Sequence, residues 1–328
     1  MEGVCEGVTY PAMHVIWSKW APYTEKTRLG SFAFSGSYFG TVVSVSLSAY
    51  IGEYFGWPAI FFFFGVVALL WCAAWIKFVR ENPEDDPHIS GDELALIKTS
   101  IIPLTNELLN WKDCMTSGPV WAIITAHFCE NWGFYTMLTY LPNILKDITH
   151  FELETVGTVS AIPYWVMGFT LIFAGVYSDR LIERHNWSVE RVRRTFCCFG
   201  FVGQAAALIA ASFTSSSTPL IIALILSIGL GGFPWSSFSV NHLDIAPQYA
   251  GQLMGISNTI ATIPGMISPL IVGSVITSGT FVEWSTVFYL TSVIYLFGAA
   301  VFFKYVSGDI VPWAKEPNLL TASFSVTD

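Results

Sequence analysis

The stretch from residue 57 to residue 79, WPAIFFFFGVVALLWCAAWIKFV, decides the fold class of this chain. It holds a single charged side chain, Lys77, and that residue lies close to its end. A helix that crosses a lipid bilayer needs about 20 predominantly apolar residues. An uninterrupted apolar run of this length therefore predicts a membrane-spanning α-helix.

The composition of the whole chain agrees with that prediction. Of its 328 residues, 53% are hydrophobic and 12% are charged, whereas soluble domains carry about 25% charged residues. Further apolar stretches bring the predicted number of membrane helices to about nine. They lie near residues 3–21, 31–51, 57–79, 118–141, 155–177, 196–213, 219–240, 251–275 and 286–306. We therefore predict an all-α membrane protein.

The sequence argues against several other classes of protein. The net charge of −9 is unlike the basic patch of a nucleic-acid-binding protein. The six cysteines do not have zinc-site spacing. The Ser, His and Cys residues form no catalytic motif, and the chain has no glycine-rich phosphate loop. We expect neither an enzyme nor a metal or cofactor site, and we expect membrane lipid, rather than an obligate protein partner, around the chain.

Lysine and arginine residues in the short loops predict the orientation in the membrane. Five arginines lie within residues 180–194, and Lys19, Lys26 and Arg28 follow the first predicted span. The joins on the other side hold Lys146 as their one basic residue and are otherwise acidic, near residues 52–56, 142–154 and 276–285. The basic loops are therefore predicted to be cytosolic.

Two carboxylates, Glu2 and Glu6, lie in the first apolar stretch, MEGVCEGVTYPAMHVIW. Their i,i+4 spacing places both on one face of a helix. Neighbouring carboxylates repel each other when both are ionised, so such a pair favours the binding of a proton. A carboxylate inside a membrane span is costly and usually functional. The alternative is that Glu2 is a terminal residue outside the lipid.

Four runs of sequence carry a family resemblance. They are EGVTYPAMHVIWSKWAP (6–22), HFCENWGFYTMLTYLP (127–142), NHLDIAPQYAGQLMGISNTIATIPGM (241–266) and VPWA (311–314). Together they resemble the anion transporter family of sialin, the vesicular glutamate transporters and the sodium–phosphate cotransporters, which belongs to the major facilitator superfamily. The resemblance implies a bundle of about twelve helices in two six-helix halves, with the substrate between the halves. On this map the chain begins at the fourth helix, and the first three are missing.

The same map implies a domain organisation. It assigns residues 1–80 to the remainder of the N-terminal half, 81–117 to a cytosolic linker, 118–306 to the C-terminal half and 307–328 to a cytosolic tail. Within the linker, Ser90 and Glu93 have the spacing of a helix-capping box and predict a short amphipathic helix on the membrane surface.

The motifs also narrow the function that the resemblance implies. Glutamate transporters have an arginine where this chain has Glu130, and the runs EGVCEGVTYPAMH and ISNTIATIPGM are similar to sialin. This implies a secondary active transporter that moves acidic sugars or other organic anions together with protons by alternating access. A sodium-dependent phosphate cotransporter and a transport-incompetent truncated product are the alternatives. The predicted location is a lysosomal or vesicular membrane, or the plasma membrane.

The resemblance and the side-chain chemistry indicate three groups of site residues. Proton coupling is assigned to Glu2, Glu6 and His14, and the alternative for His14 is a packing histidine. The substrate cavity is assigned to Phe34, His127, Glu130, Asn131, Tyr135, Ser257 and Asn258. Gating is assigned to Asp179 and Arg180, for which ordinary positive-inside anchoring is the alternative.

The spacing of two members of the cavity group predicts that their side chains are neighbours. Glu130 follows His127 by three residues, so the two side chains can meet on one face of a helix. The alternative for His127 and for Asn131 is hydrogen bonding between helices that has no contact with substrate.

Overall fold

The computed structural model describes residues 3, 6–22, 24–101, 108–149, 151 and 153–315, and helices are the only regular elements in that part of the chain. Thirteen α-helices fall within it: α1 Thr9–Trp20, α2 Lys26–Phe55, α3 Trp57–Phe78, α4 Gly91–Ser100, α5 Trp111–Thr116, α6 Gly118–Thr149, α7 Leu153–His185, α8 Val189–Ala211, α9 Ser217–Gly229, α10 Gly232–Ile245, α11 Ala250–Ala261, α12 Ile263–Val275 and α13 Phe281–Tyr305. Short 3₁₀ turns occupy Pro83–Asp85, Pro247–Tyr249 and Pro312–Ala314. The predicted all-α class is confirmed.

Seven segments of the described chain are long and apolar enough to cross a bilayer. They are Lys26–Phe55, Trp57–Phe78, Thr155–His185, Val189–Ala211, Ser217–Ile245, Pro247–Val275 and Phe281–Tyr305. The two other predicted spans correspond to α1 and α6. Helix α1 has 12 residues, and α6 is 32 residues long but buries His127, Glu130 and Asn131. These polar side chains lower the mean hydropathy of α6, which is not among the seven segments.

Two predicted spans are each broken into a pair of helices. The span predicted at 219–240 is interrupted at Leu230 and Gly231, between α9 and α10. The span predicted at 251–275 is interrupted at Thr262, between α11 and α12. Pro234 and Pro264 lie in the first turn of the helix that follows each break. Proline fits a first turn because the N–H that it lacks would have no partner there.

The C-terminal part forms the main core. Helix α13 packs against α6 and α8, and α10 packs against α7 and α8. Large fully buried side chains fill the space between them, among them Phe201, Phe238, Trp284 and Phe288. This core therefore holds α6, the helix that carries four of the predicted cavity residues, among apolar side chains.

Helices α1 and α2 dock onto this core, α1 along α11 and α2 along α7. Gly175 of α7 shows how closely α2 approaches, because a Cβ there would lie 2.5 Å from Cβ of Ser31. Small residues permit such close contact between membrane helices. Helix α3 instead packs against α2 and buries none of its residues.

A short helix, α4, lies within the predicted linker. The Oγ atom of Ser90 accepts a hydrogen bond from the backbone N–H of Glu93 at 3.1 Å, and α4 begins at the next residue, Gly91. Ile97 is the buried residue of α4. Lys19, near the end of α1, forms an ion pair with Glu81 at 2.6 Å. The start of the linker is thereby tied to α1.

Candidate functional site

A buried aromatic cluster lies where α1 and α2 meet α10. It consists of Tyr10 and His14 of α1, Phe34 of α2 and Trp235 of α10. The Phe34 ring lies 5.6 Å from the Tyr10 and His14 rings and 6.3 Å from the Trp235 ring, measured between centroids. The structure thus brings together two residues that the sequence assigned to different roles, His14 and Phe34. Trp235 was not predicted.

Three buried histidines extend this cluster across four helices. Nε2 of His14 lies 2.7 Å from the backbone oxygen of Ser239, and Nδ1 of His242 lies 3.0 Å from the same oxygen. Nε2 of His242 lies 3.0 Å from Oγ of Ser257, and Nδ1 of His127 lies 3.3 Å from that Oγ. We call these five residues the histidine network; it connects α1 with α6, α10 and α11.

The acceptors of the network restrict where its protons can lie. A carbonyl oxygen only accepts, so in any hydrogen bond with the Ser239 oxygen the ring nitrogen, His14 Nε2 or His242 Nδ1, is the donor. If the Ser257 hydroxyl proton goes to Nε2 of a neutral His242, rather than to the Met254 backbone oxygen at 3.2 Å, the Ser257 oxygen accepts from Nδ1 of His127. This assignment leaves Nε2 of His127 as a bare acceptor, and that atom is buried without a hydrogen-bond partner among the described residues.

His14 differs from the other two histidines because each of its ring nitrogens lies near a backbone carbonyl oxygen. Besides Ser239, the backbone oxygen of Tyr10 lies 3.0 Å from its Nδ1. A neutral imidazole has one N–H and can satisfy only one of these acceptors, whereas an imidazolium satisfies both. Protonation of His14 therefore adds a hydrogen bond within α1 without moving the ring.

Asn131 and Tyr135 of α6 both contact the broken span formed by α11 and α12. Nδ2 of Asn131 donates to the backbone oxygen of Ala261, the last residue of α11, at 2.8 Å. The half-buried Tyr135 ring lies against Gly265, where an added Cβ would be 3.2 Å from it. Asn258 is half-buried on α11, one residue after Ser257. These contacts agree with helix-to-helix bonding for Asn131.

Glu130 does not meet His127, contrary to the expectation from their spacing. Its Oε2 atom accepts a hydrogen bond from Nε2 of Gln204 on α8 at 2.9 Å. The His127 ring instead lies between Trp235 and Phe238, 5.3 and 5.2 Å from their ring centroids. A separation of three residues rotates the two side chains far enough around α6 for them to reach different neighbours.

The predicted carboxylate pair is described only in part. Glu2 lies outside the described residues. Glu6 is exposed and precedes α1, whose first residue is Thr9. The relation of Glu6 to Glu2 therefore stays a prediction.

A buried charge cluster lies at the end of α10, on the side predicted to be cytosolic. Asp244 forms ion pairs with Lys26 of α2 at 2.5 Å and with Arg193 of α8 at 2.8 Å, and all three side chains are buried. Nδ2 of Asn241 also donates to the Asp244 carboxylate, at 3.0 Å. We call these four residues the Asp244 cluster. It joins α2 to the C-terminal core.

Further hydrogen bonds beside the Asp244 cluster also connect α2 with α7 and α8. The Arg193 guanidinium also donates to Thr27 of α2 at 3.0 Å and to Ser178 of α7 at 3.1 Å. Asp179, predicted to act in gating, is buried and accepts the backbone N–H of Arg28 at 2.7 Å, in the first turn of α2. Arg180, its predicted companion, is exposed. The structure thus brings Asp179, but not Arg180, to the contact between α2 and α7.

Sequence reasoning missed Asp244 and His242, although a signal was present. Both lie in the run NHLDIAP, within the apolar span Ser217–Ile245. Ionisable residues inside membrane spans are rare and mark functional sites. Arg193 was counted only among the loop arginines that set the orientation, because its burial depends on the packing of α8 against α10.

Comparison with known proteins identifies the family. A family model described as the Major Facilitator Superfamily matches residues 1–269. The chain belongs to this superfamily. It is 44% identical to sialin of Ovis aries and 43% identical to sialin of Homo sapiens over 320 residues, which are 96% of this chain and 64% of each sialin. It is 39% identical to vesicular glutamate transporter 3 of Danio rerio over 325 residues, 97% of this chain and 55% of that protein.

A solved superfamily structure has a related fold. The proton:xylose symporter XylE matches with a TM-score of 0.65 at 14% identity, over 91% of this chain and 68% of XylE. The family resemblance, the fold class and the multi-pass membrane character predicted from the sequence are confirmed. Vesicular glutamate transporter 3 is by name a transporter, in agreement with the prediction that the chain is not an enzyme. The chain spans less than two thirds of the length of the two sialins.

Proposed function

We propose that the chain acts in the secondary active transport of small anions, coupled to protons, by alternating access. The observation that carries this proposal is the identity of 43–44% with two sialins across 96% of the chain. The identity with the vesicular glutamate transporter is lower, at 39%. Acidic sugars and other organic anions are accordingly the proposed substrates, in a lysosomal or vesicular membrane.

The arrangement of α1 and α2 on the C-terminal core supports alternating access. Two sets of polar contacts hold them, the histidine network and the Asp244 cluster, and both involve α10. Alternating access requires one end of such an interface to open while the other stays closed. Ion pairs suit the closing end, because water can solvate their charges once the helices separate.

Uptake into liposomes that contain the chain tests the proposal. We expect an imposed proton gradient to accelerate the uptake of a radiolabelled acidic sugar, and a protonophore to remove that acceleration. Glu6→Gln should weaken the response to the gradient, as predicted from the sequence. Glu53→Gln is the matched control, since Glu53 is an exposed carboxylate on α2 outside the site described above.

The same liposomes separate the alternatives. Replacement of sodium by choline at fixed pH should leave the uptake of the acidic sugar unchanged. Phosphate uptake that choline abolishes would instead establish the sodium-dependent phosphate cotransporter. If neither anion enters under any gradient, the chain alone is transport-incompetent and the proposal is wrong for this chain.

A further inference from the structure

One ionisable side chain of the C-terminal core lies outside both the histidine network and the Asp244 cluster. Glu130 lies near the middle of α6 and is 1% exposed. Its described hydrogen bond comes from Gln204, a neutral amide on α8. No lysine, arginine or histidine of the described chain lies within 4.0 Å of its carboxylate oxygens. An ionised carboxylate buried in this way lacks the compensating cation that buried charges normally require.

The other titratable groups around Glu130 cannot supply that cation. Tyr38 faces it from α2, Tyr295 from α13 and Cys197 from α8, while Cys129 precedes it on α6. Each of these groups is neutral when it holds its proton and negative when it does not. The surroundings therefore offer hydrogen bonds but no positive charge.

The break between α9 and α10 lies directly beside this carboxyl group. An added Cβ at Gly231 would lie 2.5 Å from Oε1 of Glu130 and 3.0 Å from the backbone oxygen of Ile228. Two oxygen acceptors thus face the same small space next to Gly231. The Ile228 oxygen already accepts the Gly231 N–H at 3.1 Å; its second lone pair can accept a hydrogen bond from a protonated carboxyl group but not from a carboxylate.

We propose that Glu130 is a second proton-binding site, inside the C-terminal core and separate from the predicted pair Glu2 and Glu6. This inference rests on the proposed proton-coupled transport and names a residue that carries the coupled proton. A proton from water binds Oε1 when the break at Gly231 is open to one side, and it returns to water when the break opens to the other. The Gln204 amide donates to Oε2 in both states, so it positions the carboxyl group while the charge changes.

Infrared difference spectroscopy of the purified chain tests the inference without transport. At neutral pH we expect a C=O stretching band of a neutral carboxyl group that shifts in deuterated water. The band should be lost in Glu130→Gln, which keeps an oxygen that can accept from Gln204. It should remain in Glu53→Gln, the exposed control. An unchanged band in Glu130→Gln would overturn the inference, whether or not the chain transports an anion.

A second variant keeps the test informative if Glu130→Gln does not fold. Gln204→Leu removes the amide donor but leaves the carboxyl group in place, so the frequency of the same band should move. If the band neither disappears in Glu130→Gln nor moves in Gln204→Leu, it does not belong to Glu130 and the inference fails.

Transport measurements then connect the site to coupling. In the liposomes described above, the net uptake of Glu130→Gln should lose the acceleration by a proton gradient, and Glu53→Gln should keep it. If Glu130→Gln keeps the acceleration, the proton is bound elsewhere. If a sodium gradient drives uptake and Glu130→Gln removes that response, the bound ion is sodium and the assignment of a proton is wrong.

Discussion

The Asp244 carboxylate forms ion pairs with two cations that belong to different helices. Lys26 belongs to α2 and Arg193 to α8; the Arg193 side chain is 0% exposed and the Lys26 side chain 7% exposed. Taking three charges out of water is costly, and their mutual attraction repays the cost only while all the partners are present. The removal of one partner should therefore have a large effect, even if the intact cluster adds little to stability.

Asp244→Asn tests this reasoning. It removes the carboxylate that pairs with both Lys26 and Arg193, and the expected loss of unfolding free energy is about 3–5 kcal/mol. Thermal unfolding in detergent measures the change. Glu190→Gln is the matched control, because Glu190 pairs with Arg194 at the helix surface; such a pair contributes about 0–1 kcal/mol. Equal losses in the two variants would mean that water reaches Asp244.

Ser257 is the point where the histidine network passes from α10 to α6. Ser257→Ala removes the hydroxyl group between His242 and His127, and both imidazoles keep a buried nitrogen without a partner. We expect a loss of about 1–3 kcal/mol in unfolding free energy. Thr259→Val on the same helix is the control, because the exposed Thr259 hydroxyl contacts only the Gly255 carbonyl of its own helix. A loss in Thr259→Val as large as that in Ser257→Ala would contradict the network.

At the scale of the helices, hydropathy predicted the position of each span better than its ends. Helix α7 was predicted at 155–177 and extends to His185, because its last turns carry Asp179, Arg180 and Glu183. Charged side chains are tolerated in a helix that continues beyond the lipid. They lower the local hydropathy, however, so the predicted span ends before the helix does. The breaks at Gly231 and Thr262 also escaped prediction, since both lie inside apolar stretches.

The candidate site was less predictable than the fold, for a physical reason. Sequence spacing shows which residues of one helix share a face, but it does not show which neighbouring helix that face meets. His14 and Phe34 were therefore found as separate candidates, and their contact with each other was not. Gln204, the partner of Glu130, has no signal in the sequence beyond its polarity.

The close contact between α2 and α7 gives a prediction at this scale. Glycine to alanine in the interior of a helix stabilises it by about 1 kcal/mol where space allows. Gly157→Ala meets that condition, because no atom lies within 4 Å of the added Cβ. Gly175→Ala on the same helix would press against Ser31 and the Thr27 backbone, at a cost of about 1–3 kcal/mol. The two variants should therefore shift the midpoint of thermal unfolding in opposite directions, and shifts of the same sign would mean that α2 does not pack on α7 in this way.

At the scale of the whole molecule, the spans from α6 onward are predicted to alternate in direction through the membrane, with α9–α10 and α11–α12 each counted as one span. The α7–α8 turn and the end of α10 thus lie on one side, together with the Asp244 cluster. The α12–α13 turn lies on the other side. The arginines of the first turn predict that its side is cytosolic, so under the proposed function the Asp244 cluster would hold the cytosolic end closed.

Labelling with a membrane-impermeant thiol reagent tests this orientation. His185 lies at the end of α7, Ser278 lies in the α12–α13 turn, and both are exposed. In sealed microsomes, whose outer surface is the cytosolic one, His185→Cys should react without detergent and Ser278→Cys only after detergent is added. The parent chain gives the background labelling of its own cysteines. The reverse pattern would place the Asp244 cluster at the luminal end, and the same ion pairs would then close the opposite side of the transport path.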